Sequence, residues 1–396
     1  MAPEKHLMMQ PLQIVKVDAW RVYVPLLKEW ATSPEYGPHT RGPDRLILRI
    51  EDADGHCGWG EGTTSLSGEK LKACLHHWMT AEGGCAAPSA CWNLHPEPTY
   101  WHEPGQSSRY APTLGSLAHR IRHPLQTTVE TAWLDLLARR AGVPLHFLFG
   151  GAWRDRVPVD YWMGRVTPEH ARQCVARARS LGFTGVKLKT TLQDDNIGRL
   201  EAIHAECGPD WHVTVDPNGR FYRLDDALPL ILKMDAIGNM QILEDPFPRF
   251  HLPEFAALRP RLKARLVVHI DPPESLHTVI QSGAAGGFNL DNHPVGLFGW
   301  RMLAAAADTA NLPVWHGSGL DLGIATATQL HLCAATPNCQ LPGDQSGPWL
   351  RAASLVKEAF SVNEGKVLVP EGPGHGVSFD PDAAEEYCLE RFTLET

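Results

Sequence analysis

The stretch GVKLKTTLQDDNIGRLEAIHAECGPDWHVTVDPN, Gly185 to Asn218, opens and closes on short apolar runs that end in charged residues. Between them lies a segment long and polar enough for a surface helix. That is one βα unit followed by the strand of the next. The same beat runs through VPVDYWMG, MQILEDP, RLVVHID, GGFNLDN, LPVWHGSG and NCQLPGD. The marked residues fall at 187, 216, 244, 271, 291, 316 and 344, roughly every 20 to 29 positions. Strands alternating with helices at that period give a parallel sheet, and eight such units close a (β/α)8 TIM barrel of roughly 200–250 residues. In such a barrel the chemistry sits at the C-terminal ends of the strands, where the charged residues stand.

Three of those strand ends, Asp216, Glu244 and Asp271, follow one another along the chain. In a barrel mouth three carboxylates converge and, left alone, raise one another's proton affinity. A hard dication removes the conflict and leaves coordination positions for substrate oxygens, as Mg2+ prefers. His269 lies on the same face as Asp271 and competes with it for the third place. Lys187 and Lys189 are two apart on one strand and so share a face. Two ammonium groups there repel, which favours the neutral amine of Lys189, the form that acts as a base. A lysine pair beside a metal suits removal of a proton α to a carboxylate. Tyr161, Asn218 and Asp344 are further strand-end candidates for substrate binding. Helix capping, a turn and solvated surface are the alternative readings of these residues.

The residues before the barrel differ. LQIVKVDAWRVYVPL and DRLILRIEDADGHCGWGEG read as strands, the second holding a D-A-D-G turn. LQTTVETAWLDLLARRAG has helical spacing, with Val129, Ala132, Trp133 and Leu136 on one face and Gly142 as C-cap. We therefore expect an α+β module over residues 1–150, a barrel over 151–365 and a final segment over 366–396. The Pro/Gly-rich loop near 25–45, with Trp30, Tyr36 and His39, is a candidate lid. The stretch from 80 to 112 reads as an irregular insertion.

The formal net charge of -9 argues against nucleic acid or an anionic membrane as the main partner. Nine scattered cysteines without a C-x-x-C pair signal neither a disulfide framework nor a structural zinc site. With no long apolar run, they are expected to be reduced thiols of a cytoplasmic protein.

GVKLKTT, VTVDPNGRF and QILEDPFPR, in this order and spacing, resemble the enolase superfamily, in its mandelate racemase and muconate-lactonizing branch. ETAWLDLLARRAGVPLHFLFGG, ATQLHLCAATPN and GPGHGVSFD share the likeness, which spans roughly residues 12 to 385. The resemblance implies a modified (β/α)7β barrel capped by an α+β domain that the C-terminal segment helps to build. It implies one Mg2+, an enediolate intermediate and a loop closing over a small carboxylate substrate. It also implies a homo-oligomer, dimer or octamer. Asp216 and Glu244 match the first two metal ligands, and Asp271 stands where the third is expected. Lys189 matches the base, with Lys187 as its electrostatic neighbour. The sixth strand ends in Asp291 where muconate-lactonizing relatives carry a second lysine. Racemase-like relatives pair such an aspartate with a histidine on the next strand, so Asp291 and His316 are a candidate dyad. In the lactonizing alignment Asp321 occupies an acidic position near the substrate.

These expectations converge on an acid-sugar or hydroxy-acid dehydratase. A racemase or epimerase is the alternative, then a cycloisomerase, then a barrel that binds a ligand without catalysis.

Overall fold

The structure is a computed structural model, and it describes residues 12–31, 44–64, 66–80, 125–271, 275–293 and 295–396. Most of the expected lid loop, with Tyr36 and His39, and nearly all of the 80–112 insertion lie outside the described residues. Two sheets dominate. The first is antiparallel, in the order β14-β1-β2-β3, from β1 (Ile14–Val22), β2 (Arg45–Asp52), β3 (Cys57–Thr63) and β14 (Cys388–Glu395). The expected turn joins β2 and β3: Asp52 Oδ1 accepts the backbone N–H of Asp54 and of His56, and Gly55 takes φ of 84°.

Against this sheet packs the helix Gln126–Ala141, ended by Gly142 in the left-handed conformation. Its close approach is written into β3 as CGWGEGT, which places a glycine at every second position and hence on one face. A Cβ on Gly60 would lie 2.0 Å from the Thr128 carbonyl, and one on Gly58 2.2 Å from that of Ala132. The interface behind them buries Val17, Leu48, Ile50, Val129 and Leu136, each worth ~1.5–3 kcal/mol of apolar burial.

The second sheet is parallel, in the order β11-β10-β9-β8-β7-β6-β5. Its strands are β5 (Tyr161–Met163), β6 (Gly185–Lys189), β7 (His212–Asp216), β8 (Met240–Glu244), β9 (Arg265–His269), β10 (Gly287–Leu290) and β11 (Val314–His316). Residues 339–343 bridge both edges, pairing Cys339 with Val314 and Gly343 with Val159, which closes the barrel. The run expected as its first strand is divided. Arg156–Pro158 (β4) leaves to pair with Lys366–Leu368 (β13), which also pairs with Val362–Asn363 (β12), and β5 alone enters the barrel.

Successive residues of a strand point to opposite faces, and here that alternation sorts the chain. Ile242, Val267 and Trp315 pack together in a small cluster inside the barrel. Val186, Leu188, Val213, Val215, Leu243, Val268, Phe288, Leu290 and Val314 belong to the large cluster between strands and helices. Among the described residues no helix is long and apolar enough to cross a membrane, and the cysteines carry free thiols.

Candidate active site

A pocket of about 170 Å3 opens at the C-terminal end of the barrel. Into it reach Lys187 and Lys189 from β6, Asp216 at the end of β7, Glu244 at the end of β8 and His269 at the end of β9. Asn289 and Asp291 enter from β10, and Asp344 from the segment that closes the barrel. Most of these are buried, Asp216 and Glu244 completely.

Lys187 is the hub. Its Nζ lies 2.8 Å from Glu244, 3.2 Å from Asp344 and 3.3 Å from Asp216, and 5.6 Å above the Trp315 ring. Burial alone would strip its proton, but the three carboxylates outweigh that and hold it well above the ordinary lysine value. Lys189 Nζ contacts Asp216 and donates to Asn218 Oδ1 at 2.9 Å. Burial favours a neutral Asp216, yet Lys189 and Lys187 keep its carboxyl well below the usual range. Glu244 behaves oppositely: burial and the charge of Asp216 push it up to about 7.

The turns after β7 and β8 have similar local geometry. Asn218 and Asp245 adopt φ of 49° and 42°, the left-handed region that Asn and Asp tolerate best after glycine. Asp245 is buried, accepts Arg249 Nε at 2.6 Å and the backbone N–H of His269 at 3.0 Å, and so joins the ends of β8 and β9. Burial, Arg249 and Lys187 hold the His269 imidazole well below its ordinary value, hence neutral.

Of the expected residues, Lys187, Lys189, Asp216, Asn218, Glu244, Asp291 and Asp344 share the pocket, and four do not. Tyr161 is one residue out of phase: its ring packs on Phe183, its hydroxyl accepts from Arg177 Nε, and Trp162 takes the inward place. His316 is likewise out of phase. It stacks on Trp300 of the outer helix Gly296–Thr309, and its Nδ1 meets the Gly317 carbonyl. Asp291 Oδ1 instead accepts the backbone N–H of His293, and only its charge reaches the His316 ring. The expected dyad is therefore not formed.

Asp271 lies beyond the end of β9, 37% exposed and 3.8 Å from Arg249, while the carboxylates of Glu244 and Asp245 gather with His269 instead. Asp321 is fully buried away from the pocket. It pairs with Arg45 of β2 and accepts from Gln329 Nε2 at 2.8 Å and Ser318 Oγ at 3.0 Å. Its work is to fasten the antiparallel sheet to the loop after β11. Glu61 of β3 adds to the joint by accepting the backbone N–H groups of Leu322 and Ala325, at the start of the helix Gly323–Ala334.

Sequence reasoning missed Trp162, Arg249, Asn289 and Ser318 as lining residues. Two were accessible to the period-2 rule: Trp162 pairs in register with the inward Lys187, and Asn289 lies two before Asp291. Arg249 and Ser318 sit in loops, where no period applies.

The donor set suits a dication. One ligand atom each from Glu244, Asp245 and His269 falls within 4.8 Å of the others, and Asp216 shares Lys187 with Glu244. Buried Asp344 Oδ1 also lacks a hydrogen bond.

A capped barrel with carboxylates and lysines converging at its mouth is the architecture of an enzyme. The chain belongs to the enolase C-terminal domain-like family, which matches residues 169–383, and to the enolase superfamily, whose members use Mg2+. It is 28% identical over 278 residues to a chloromuconate cycloisomerase of Pseudomonas putida, covering 66% of this chain and 72% of the relative. A probable glucarate dehydratase of Streptomyces coelicolor is 27% identical over 291 residues, covering 66% and 65%. In structure the chain resembles the N-succinyl Arg/Lys racemase of Bacillus cereus, with a TM-score of 0.78 at 18% identity over 97% of this chain and all of that one.

Proposed function

We propose that the protein removes the proton α to the carboxylate of a hydroxy or sugar acid and eliminates the β-hydroxyl, as an acid-sugar dehydratase. The observation that carries this reading is that two unlike groups, Lys189 of β6 and Asp291 after β10, line one pocket from strands on opposite sides of it.

A dication held by Asp216 and Glu244, Mg2+ in the superfamily, would draw negative charge onto the substrate carboxylate. Lys189, steadied by Asn218 and Asp216, takes the α-proton on its amine nitrogen. The electron pair of the broken C–H bond moves into the carboxylate as an enediolate, and the nearby Lys187 ammonium stabilises that charge. When the pair returns, the C–O bond to the β-hydroxyl breaks, and the departing oxygen leaves as water with a proton delivered through Asp291. The enol left behind tautomerises to a 2-keto acid. An amine on one side and a carboxyl on the other suit this one-way sequence. The likeness to a probable glucarate dehydratase supports it.

Racemisation or epimerisation is the second reading, favoured by the same opposition if Asp291 returns the proton to the α-carbon.

The test is proton NMR in D2O with a dication and a panel of sugar acids, hydroxy acids and acylamino acids. Dehydration gives a 2-keto acid, and epimerisation gives deuterated substrate of inverted configuration. Either outcome requires Lys189, and Lys189→Ala lowers the rate ~10²–10⁴-fold. Undiminished exchange in that variant would remove Lys189 as the base.

A further inference from the structure

We infer that His269 supplies the third protein ligand of the metal centre, which makes it a mixed oxygen–nitrogen site selective for a first-row transition dication of the Mn2+ or Fe2+ class over Mg2+. This rests on the reading above that a dication sits against Asp216 and Glu244.

Three strands in succession, β7, β8 and β9, end in Asp216, Glu244 and His269, and all three residues line the pocket. The third place on this barrel is thus taken by an imidazole, and the carboxylate expected there, Asp271, lies two residues on and faces Arg249. A ring nitrogen of His269 falls within 4.8 Å of a Glu244 oxygen. Glu244 is fully buried, with Oε2 2.8 Å from the Lys187 ammonium, while Asn289 holds Oε1 at 2.7 Å.

Asp245, the other carboxylate close by, is already engaged. Arg249 pairs with one oxygen and the His269 backbone N–H donates to the other, so Asp245 ties the ends of β8 and β9 together. Removing the metal's third oxygen ligand matters chemically. Mg2+ prefers an all-oxygen octahedron and gains little from imidazole, whereas the transition dications accept imidazole readily.

The experiment uses the full chain stripped of metal and reloaded with MnCl2. Pulsed electron spin resonance reads nitrogen-14 modulation on the bound Mn2+, and calorimetry reads Mn2+ and Mg2+ affinities. Wild type is expected to show the modulation. His269→Asp is expected to bind metal without it and to move the affinity ratio towards Mg2+ by ~10-fold or more. His269→Asn, a second variant, is expected to lose the modulation and weaken Mn2+ more than Mg2+. Melting curves confirm that each variant is folded. Mn2+ bound without nitrogen modulation in wild type, or modulation that survives both substitutions, overturns the inference while a metal at Asp216 and Glu244 stands. If neither Mn2+ nor Mg2+ binds at millimolar concentration, the inference falls together with the metal-assisted reading.

Discussion

The side-chain amide of Asn289 donates a 2.7 Å hydrogen bond to Glu244 Oε1, from β10 across β9 to β8. It sets the direction in which a buried carboxylate presents its other oxygen. Such supporting bonds tune a metal site strongly, typically by 10–100-fold in affinity. We expect Asn289→Leu, similar in volume, to weaken dication binding by about that factor with little change in melting temperature. Titration calorimetry with MgCl2 and MnCl2 checks it, and unchanged affinity would show that Glu244 needs no such guide.

Asp291 and His316 are adjacent in the barrel's strand-end order yet face opposite ways. Asp291→Asn should leave α-hydrogen exchange within about fivefold of wild type while lowering net product formation ~10²-fold or more, as loss of a general acid does. His316→Gln should leave both rates nearly unchanged and lower stability, because it empties a stack on Trp300. A comparable loss of turnover in His316→Gln would restore the histidine to the chemistry.

Arg45 and Asp321 form an ion pair that is 1% and 0% exposed on its two sides. Breaking a buried pair leaves an unmatched charge, at a cost of about 3–5 kcal/mol. Arg45→Met should therefore lower unfolding stability by that order, read from denaturant titration. The double substitution Arg45→Met with Asp321→Leu should recover much of the loss, since no charge is left stranded.

His293 gives a pH dependence with a defined sign. Burial opposes its charge, but Asp291 and Asp321 raise its folded-state value to about 9, above the ordinary value near 6.5. The proton is bound more tightly in the folded protein. Its stabilising contribution is therefore complete below about pH 6.5 and disappears as pH rises through about 9. Denaturant titrations from pH 6 to 9.5 should show stability falling faster in wild type than in His293→Asn. Parallel profiles would remove His293 from the pH response.

Gly60 lies where the helix Gln126–Ala141 meets β3. Gly60→Ala places a methyl group 2.0 Å from a backbone carbonyl, so the helix must move. We expect a loss of about 1–3 kcal/mol, as for overpacked cores, measured by thermal or denaturant unfolding.

The barrel and its principal charges were legible because their signals are local. Charged residues ending apolar runs at a steady interval mark βα units, and Lys187, Lys189, Asp216 and Glu244 each lie at a strand end that the sequence itself delimits. Two of the misplacements share one cause. Tyr161 and His316 were assigned from the ends of apolar runs, and with a period of two an offset of one residue exchanges the pocket for the helix layer. The VPVDYWMG run concealed a change of partner between β4 and β5, and β11 is only three residues long. Asp271 was misplaced because β9 ends two residues earlier, at His269.

By itself, then, the sequence determined the repeated βα order, the lysine pair and the first two acidic strand ends, since these follow from periodicity and residue chemistry along a single segment. Only the tertiary structure decided which member of each adjacent pair faces the pocket, that His269 stands beside Glu244, and that Asp321 serves Arg45 of a distant strand. Those relations depend on strand register and on contacts between residues hundreds of positions apart, such as Arg45 and Asp321, and no local pattern of hydrophobic and charged residues encodes them.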